Sequence, residues 1–404
     1  MSSSKSRMAG IVIIGAGECG IRAAFAARDA GYEGAITIVG DEQTLPYERP
    51  PLSKPDASGA VEKPITSPEI LSEKAIDLKC GVSATAIVRN AHEVSLSDGG
   101  LLAYDRLLLA TGARPRTLTC PGGDRAQVLR TIKDANAIYA AAENATKVVI
   151  VGAGLIGLEL AAELRTRGLH ITVVEAGPRP LGRNVPERLA TRLAAKHQEE
   201  GVSILCGVHI ASCTDRGVEL EDGRFLQADL VIAAVGVVPN DELARSTGLT
   251  VENGIRVDGQ LMTDDPLIYA AGDCAAVRTS EGNYRRYETW QNAQAQGEVA
   301  GRNLGGGDAS FDVPVWFWSD QYDLGLQGVG DTSGNPTVIR VLGDGAEILF
   351  FLDDIGALAG AAGLGRGNAV AKDIKIAQRL IGARVNAGLL SDPAHNLKKL
   401  LRAA

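Results

Sequence analysis

The sequence predicts an α/β protein: two parallel-sheet domains of one plan, followed by a smaller α+β domain at the C-terminal end. Three observations predict it. At 404 residues the chain is too long for one ordinary core. Two segments, Ile11–Gly40 and Val148–Ala176, read alike: a β-branched run, a Gly-rich turn, an Ala-rich helix ended at Gly, and a second β-branched run. From Pro314 the pattern changes, with the strands PTVIRVL and EILFFL ahead of the helical AVAKDIKIAQRLI.

The elements follow in order. Four apolar residues precede the first glycine of each copy, IVII before Gly15 and VVIV before Gly152, as expected of strands buried on both faces. GxGxxG comes next in both, and its glycines have separate tasks. Gly15 and Gly152 permit the tight turn, Gly17 and Gly154 let a pyrophosphate approach, and Gly20 and Gly157 allow close helix–strand packing. The positive end of the following helix favours the phosphate charge. Each copy is therefore expected to be a Rossmann-like dinucleotide-binding domain. In the second, Glu175 lies 18 residues past Gly157, placed to accept hydrogen bonds from both ribose hydroxyls, which favours NAD over NADP. Arg179 and Arg183 weaken that preference, since arginines can hold a 2′-phosphate. The first copy has Gly40 at the matching position and its acid, Asp41, one residue later.

Between the copies, DRLLLATGARP runs a buried strand into Thr111 and Gly112, and IYAAGDCA delivers Asp273 after Gly272. The order GxGxxG, ATG, GxGxxG, GD is the signature of a glutathione-reductase-type flavoprotein, in which such an Asp meets a ribityl hydroxyl of FAD. The FAD domain is then discontinuous, at 1–114 and 241–313. A nicotinamide domain is inserted at 115–240, and 314–404 form the C-terminal interface domain. Thiol-disulfide members of that fold need a redox cysteine beside the flavin, but the matching stretch, LPYERPPLSKP (45–55), has none. Two-electron chemistry through a cysteine is thereby disfavoured, and electrons must leave directly from the flavin.

The stretch PYERPPLSK resembles the NADH-dependent ferredoxin reductases of bacterial oxygenase systems, those of aromatic-ring dioxygenases and of putidaredoxin-type P450 systems. LRT (129–131), GLIGLELA (154–161), VGVVPN (235–240), ETWQNA (288–293) and WFWSDQY (316–322) carry the same resemblance. It implies FAD contacts from Cys19, Asp41, Arg49, Lys54, Ala84, Arg130, Asp273 and Trp290. Lys54 would lie near flavin N5, and Glu159 would meet Lys54 and the nicotinamide ring. The implied NAD contacts are Leu155, Ile156, Glu159, Glu175, Arg183 and Gly236. No side chain acts as acid or base: hydride passes from NADH to flavin N5, and electrons leave singly to a [2Fe–2S] ferredoxin that feeds a terminal oxygenase. Two alternatives share these motifs, a rubredoxin reductase and an NADH-binding flavoprotein with slow electron release, like apoptosis-inducing factor.

Composition bounds the partners. The net charge of −8, without Lys/Arg runs, argues against nucleic acid and anionic membranes. No signal peptide or membrane span is expected, and six cysteines without CxxC suit a cytoplasmic protein. Metal sites are not expected, and the family implies a monomer or weak homodimer. Basic groups for docking an acidic ferredoxin are sought in Arg278, Arg285 and Arg286, with Arg366 and Lys372 behind them.

Overall fold

Ile11–Ile14 is buried along its whole length and forms the centre of a five-stranded parallel sheet. The strand order is Ile268–Ala270, Arg106–Leu109, Ile11–Ile14, Ile36–Val39, Ile76–Lys79. A computed structural model of the chain describes residues 9–56, 59–183, 185–279 and 281–402. The sheet belongs to a compact unit of residues 1–49, 62–114 and 237–313. On it the helix Glu18–Asp29 packs against Trp290–Leu304. The two helices approach almost backbone to backbone: a Cβ on Gly301 would come within 2.2 Å of the Ala23 carbonyl oxygen, and one on Gly297 within 2.6 Å of that of Cys19. Small residues on both faces make that approach possible.

The second unit comprises 50–61, 115–236 and 314–404. Its parallel sheet runs Ser203–Cys206, His170–Glu175, Lys147–Val151, Leu230–Ala233, Gln127–Val128, and the helix Leu155–Thr166 follows its central strand. Thr131 and Asp134 start another helix, Ile132–Glu143, with a reciprocal capping box. The last part of the chain builds a five-stranded antiparallel sheet ordered Trp316–Gln321, Leu324–Gly330, Leu358–Arg366, Glu347–Leu352, Val338–Val341. The helix Ala371–Leu380 buries Ile374, Ile376, Ala377 and Leu380 in the same cluster as Val329, Ile348 and Phe350.

The chain passes between the two units at 49/50, 61/62, 114/115, 236/237 and 313/314. Val237–Pro239 pairs with Ala113–Pro115, and the Asn240 amide nitrogen donates to the Thr111 carbonyl at 2.8 Å. Thr111 Oγ1 donates in turn to the Asn240 carbonyl at 2.6 Å. This latch keeps 237–240 with the first unit. Residues 50–61 group with the second unit, and so does the C-terminal segment.

Candidate functional site

The first Gly-rich turn is built for close approach. Gly15 has φ +116°, and a Cβ there would sit 2.0 Å from the Ala110 carbonyl oxygen. One on Gly20 would be 2.0 Å from the oxygen of Gly15. Gly17 differs: nothing lies within 4 Å of where its Cβ would point, and no side chain caps the helix that it begins. Open space before uncapped amide donors fits a pyrophosphate. The second turn repeats this arrangement at Gly152 (φ +105°; 2.4 Å from the Ala234 oxygen), Gly157 (2.1 Å from the Gly152 oxygen) and the open Gly154.

Around the first turn, Gly40 is pressed on Ala16, with Ala16 Cβ 2.5 Å from where a Cβ would lie, and Asp41 follows it exposed. Arg49 binds Glu42 at 2.8 Å, and Tyr47 donates to the other oxygen of the same carboxylate. Ala84 opens the strand Ala84–Val88 of a small antiparallel sheet. The Gly272–Asp273 turn is held from two sides. Gln296, fully buried, accepts from the Gly272 amide at 2.7 Å and donates to Asn292. Arg286 donates to the Asp273 carbonyl at 3.2 Å and pairs with Glu288. With its side chain only 6% exposed, Arg286 supports this turn and is not a docking cation. Cys19 packs under Gly272, and Cys274 donates to the Leu109 carbonyl. Burial pushes both thiols up, Cys19 well above its ordinary value, so both stay protonated packing residues.

In the second unit the Glu175 carboxylate accepts from the Ala153 and Gly177 amides, each at 2.7 Å, which ties the turn to the strand end. Two further lone-pair positions are left for a ribose. Arg179 donates to the carbonyls of Pro180, Leu181, Gly182 and Val185 at 3.1–3.5 Å, a clamp on its own loop. Arg183 is exposed, its guanidinium 3.6 Å from the Cβ position of Gly236. Ile156, 47% exposed, stands at the start of the helix beside Leu155.

A polar cluster occupies the same unit. Glu159 accepts from Ser53 at 2.5 Å and from Ser319 at 2.6 Å, and Lys54 lies 3.5 Å from both Glu159 and Asp320. Burial pushes the Glu159 carboxyl up, against the pull of Lys54 and the two hydroxyls. A carboxyl raised in the fold contributes stability that is present in acid and is lost as pH rises through the raised value. Glu159→Gln is therefore expected to melt higher than the parent at about pH 8, the difference closing by about pH 4. Melting scans across that range check it, and parallel curves would refute it.

Of the residues expected at FAD, Gly15, Gly17, Cys19, Gly20, Asp41, Arg49, Ala84, Thr111, Gly112, Gly272, Asp273 and Trp290 belong to the first unit, and Lys54 and Arg130 to the second. All those expected at NAD belong to the second. Thr111 is engaged in the latch with Asn240. Glu42, Ser53, Gln296 and Ser319 were not singled out by sequence. Only Asn292 and Gln296 in ETWQNAQAQ, amides four residues apart on one helix face, carried a readable signal.

Comparisons with known proteins agree with this geometry. The pyridine nucleotide-disulphide oxidoreductase model matches residues 9–297, and the reductase C-terminal model matches 316–401. The chain is 38% identical over 397 residues to the ferredoxin–NAD(+) reductase component of the p-cumate 2,3-dioxygenase system of Pseudomonas putida, covering 96% of this chain and 97% of that one. It is similar to the crystal structure of the ferredoxin reductase for the CYP199A2 system from Rhodopseudomonas palustris (TM-score 0.91, 34% identity, 97% of this chain and 99% of that one). The covalent putidaredoxin reductase–putidaredoxin complex is similar too (TM-score 0.88, 34% identity, 98% and 99%). Among the described residues, no helix is long and apolar enough to cross a membrane, and no cluster of His, Cys, Asp and Glu could hold a metal ion.

Proposed function

Because the chain belongs to the pyridine nucleotide-disulphide oxidoreductase family, we propose that it is an FAD-dependent NADH:ferredoxin oxidoreductase serving a terminal oxygenase. The observation that carries this reading is the pair of matched dinucleotide turns in one chain, with no cysteine in residues 45–55. A bound flavin supplies what side chains lack, the ability to accept two electrons as hydride and release them singly. The chain's own residues bind and orient. The open positions at Gly17 and Gly154 admit the two pyrophosphates, and Glu175 offers its remaining lone pairs to the ribose of NADH. Gln296 and Arg286 hold the turn that presents Asp273 to FAD. Lys54, kept near Glu159 and Asp320, brings a positive charge suited to an anionic reduced flavin. A [2Fe–2S] ferredoxin is the acceptor, a reading supported by the likeness to a reductase solved with putidaredoxin.

The experiment is to reduce the purified protein anaerobically with NADH, mix it with a [2Fe–2S] ferredoxin from a ring-hydroxylating dioxygenase system, and follow both spectra. Transfer much faster than to oxygen or rubredoxin is expected. A long-lived reduced flavin that ignores every iron–sulfur acceptor would overturn the reading.

Nucleotide choice gives a second check. Glu175→Ala removes the ribose acceptor and also frees the Ala153 and Gly177 amides, while Arg179 remains committed to four carbonyls. The NADPH-to-NADH ratio of kcat/KM is expected to rise, mainly because NADH use falls by about tenfold, a loss of about 1.4 kcal/mol. An unchanged ratio would sink the assignment.

A further inference from the structure

Behind Glu159 and Ser319 the line of buried polar side chains continues, through Gln321 to His197. Ser319 and Gln321 alternate with Asp320 on the edge strand Trp316–Gln321, so both point inward while Asp320 is exposed. Ser319 Oγ donates to Glu159 at 2.6 Å, Gln321 Nε2 donates to Ser319 Oγ at 3.0 Å, and His197 Nε2 meets Gln321 Oε1 at 2.7 Å. His197, on the helix Glu187–Glu199, is fully buried, and Ser319 and Gln321 are 1% exposed. Such a line could be unrelated core polarity, but its donors leave only one direction. An ionised carboxylate only accepts, so Ser319 gives it its proton and must itself accept from the Gln321 amide. Gln321 Oε1 is then left to accept, which fixes His197 as the Nε2–H tautomer. Its Nδ1 faces the Tyr322 hydroxyl at 3.4 Å.

We propose that His197 is a positioning residue for Glu159, acting through Gln321 and Ser319 to keep that carboxylate a hydrogen-bond acceptor beside Lys54. A proton on the Glu159 oxygen that faces Ser319 would turn that oxygen into a donor, and the whole line would have to reverse against the histidine, which leaves only the oxygen facing Ser53 to take it. Burial lowers the basicity of His197, so the ring stays neutral and holds its single N–H toward Gln321. The groups facing Glu159 are Lys54, with Asp320 beyond it, and Tyr139, whose hydroxyl is committed to the Leu52 carbonyl at 2.9 Å. Those facing His197 are Tyr322 and Glu200, the latter paired with Lys196 at 2.6 Å. That the carboxylate so held meets the nicotinamide rests on the function proposed above.

The test titrates Glu159 in the flavin-loaded protein by infrared difference spectroscopy, with Glu159→Gln identifying its protonated carbonyl band. Gln321→Leu and His197→Leu are expected to move the titration upward by about one pH unit. His197→Gln, which can keep a donor at the Nε2 position, should leave it in place even where it lowers Tm. A purely structural role predicts the opposite pattern, with Tm moving and the titration fixed in all three, and that result would overturn the proposal. An unmoved titration in a folded Gln321→Leu chain suffices, whether or not His197→Leu folds. No ferredoxin and no NADH enter this measurement. A shifted titration in a protein that fails to reduce ferredoxin would therefore support the relay while rejecting the proposed function.

Discussion

A Gly154→Ala chain is expected to melt with its parent, carry a full complement of flavin and oxidise NADH with kcat/KM lower by about 100-fold, close to 2.7 kcal/mol of lost transition-state binding. Gly154 has φ −77° and ψ −177°, which alanine adopts without strain, and its Cβ would meet nothing of the protein within 4 Å. The added methyl would occupy only space reserved for the pyrophosphate. The contrasting variant is Gly152→Ala, two residues earlier. There φ is +105° and the Cβ would lie 2.4 Å from the Ala234 oxygen, so the fold itself should suffer. Melting scans and steady-state NADH oxidation with an artificial acceptor separate the two. A KM for NADH within about twofold of the parent in Gly154→Ala would remove the cradle assignment.

The second large effect is expected in stability. Gly301→Ala places a methyl 2.2 Å from the Ala23 carbonyl oxygen and 2.8 Å from Ala26 Cβ, where two helices meet backbone to backbone. Neither partner atom is the end of a flexible side chain. The helices must separate, which costs about 3 kcal/mol, at the upper end of overpacking penalties. Chemical denaturation should show a lower midpoint at an unchanged slope. A stability loss below about 1 kcal/mol would mean that the helices pack more loosely than described.

The two cradles were legible because their chemistry is local. A GxGxxG turn with its strand and helix is compressed into about 20 contiguous residues, and its first and third glycines answer to a neighbour near them in sequence or following the next strand. Arg286 looks like a surface cation in the sequence because nothing in YRRYE distinguishes a solvated arginine from one folded back on a carbonyl. The line from Ser53 through Glu159 and Ser319 to His197 was illegible for a different reason. It draws on four separated segments, and a polar residue about to be buried looks like any other polar residue. The C-terminal sheet was half readable. Glu347–Leu352 announces itself by β-branched and aromatic residues, but Leu358–Arg366, LAGAAGLGR, is poor in β propensity and is a strand only because its neighbours pair with it. Its glycines answer to packing: a Cβ on Gly363 would lie 3.0 Å from Val370 Cβ, and one on Gly365 2.6 Å from Ala346 Cβ.

The discontinuity of the first unit also sets a timetable for synthesis. Its sheet lacks the strand Ile268–Ala270, and the helix Glu18–Asp29 lacks its partner Trp290–Leu304, until roughly 190 residues after position 114 have been added. At about 5–20 residues per second the ribosome takes on the order of 10–40 s to supply them. Meanwhile the parallel sheet of the inserted segment has all five strands once Leu230–Ala233 has emerged. The parallel sheet encoded in the middle of the message is thus the first of the two to have all its strands, and the N-terminal sheet waits with an open edge for its last one.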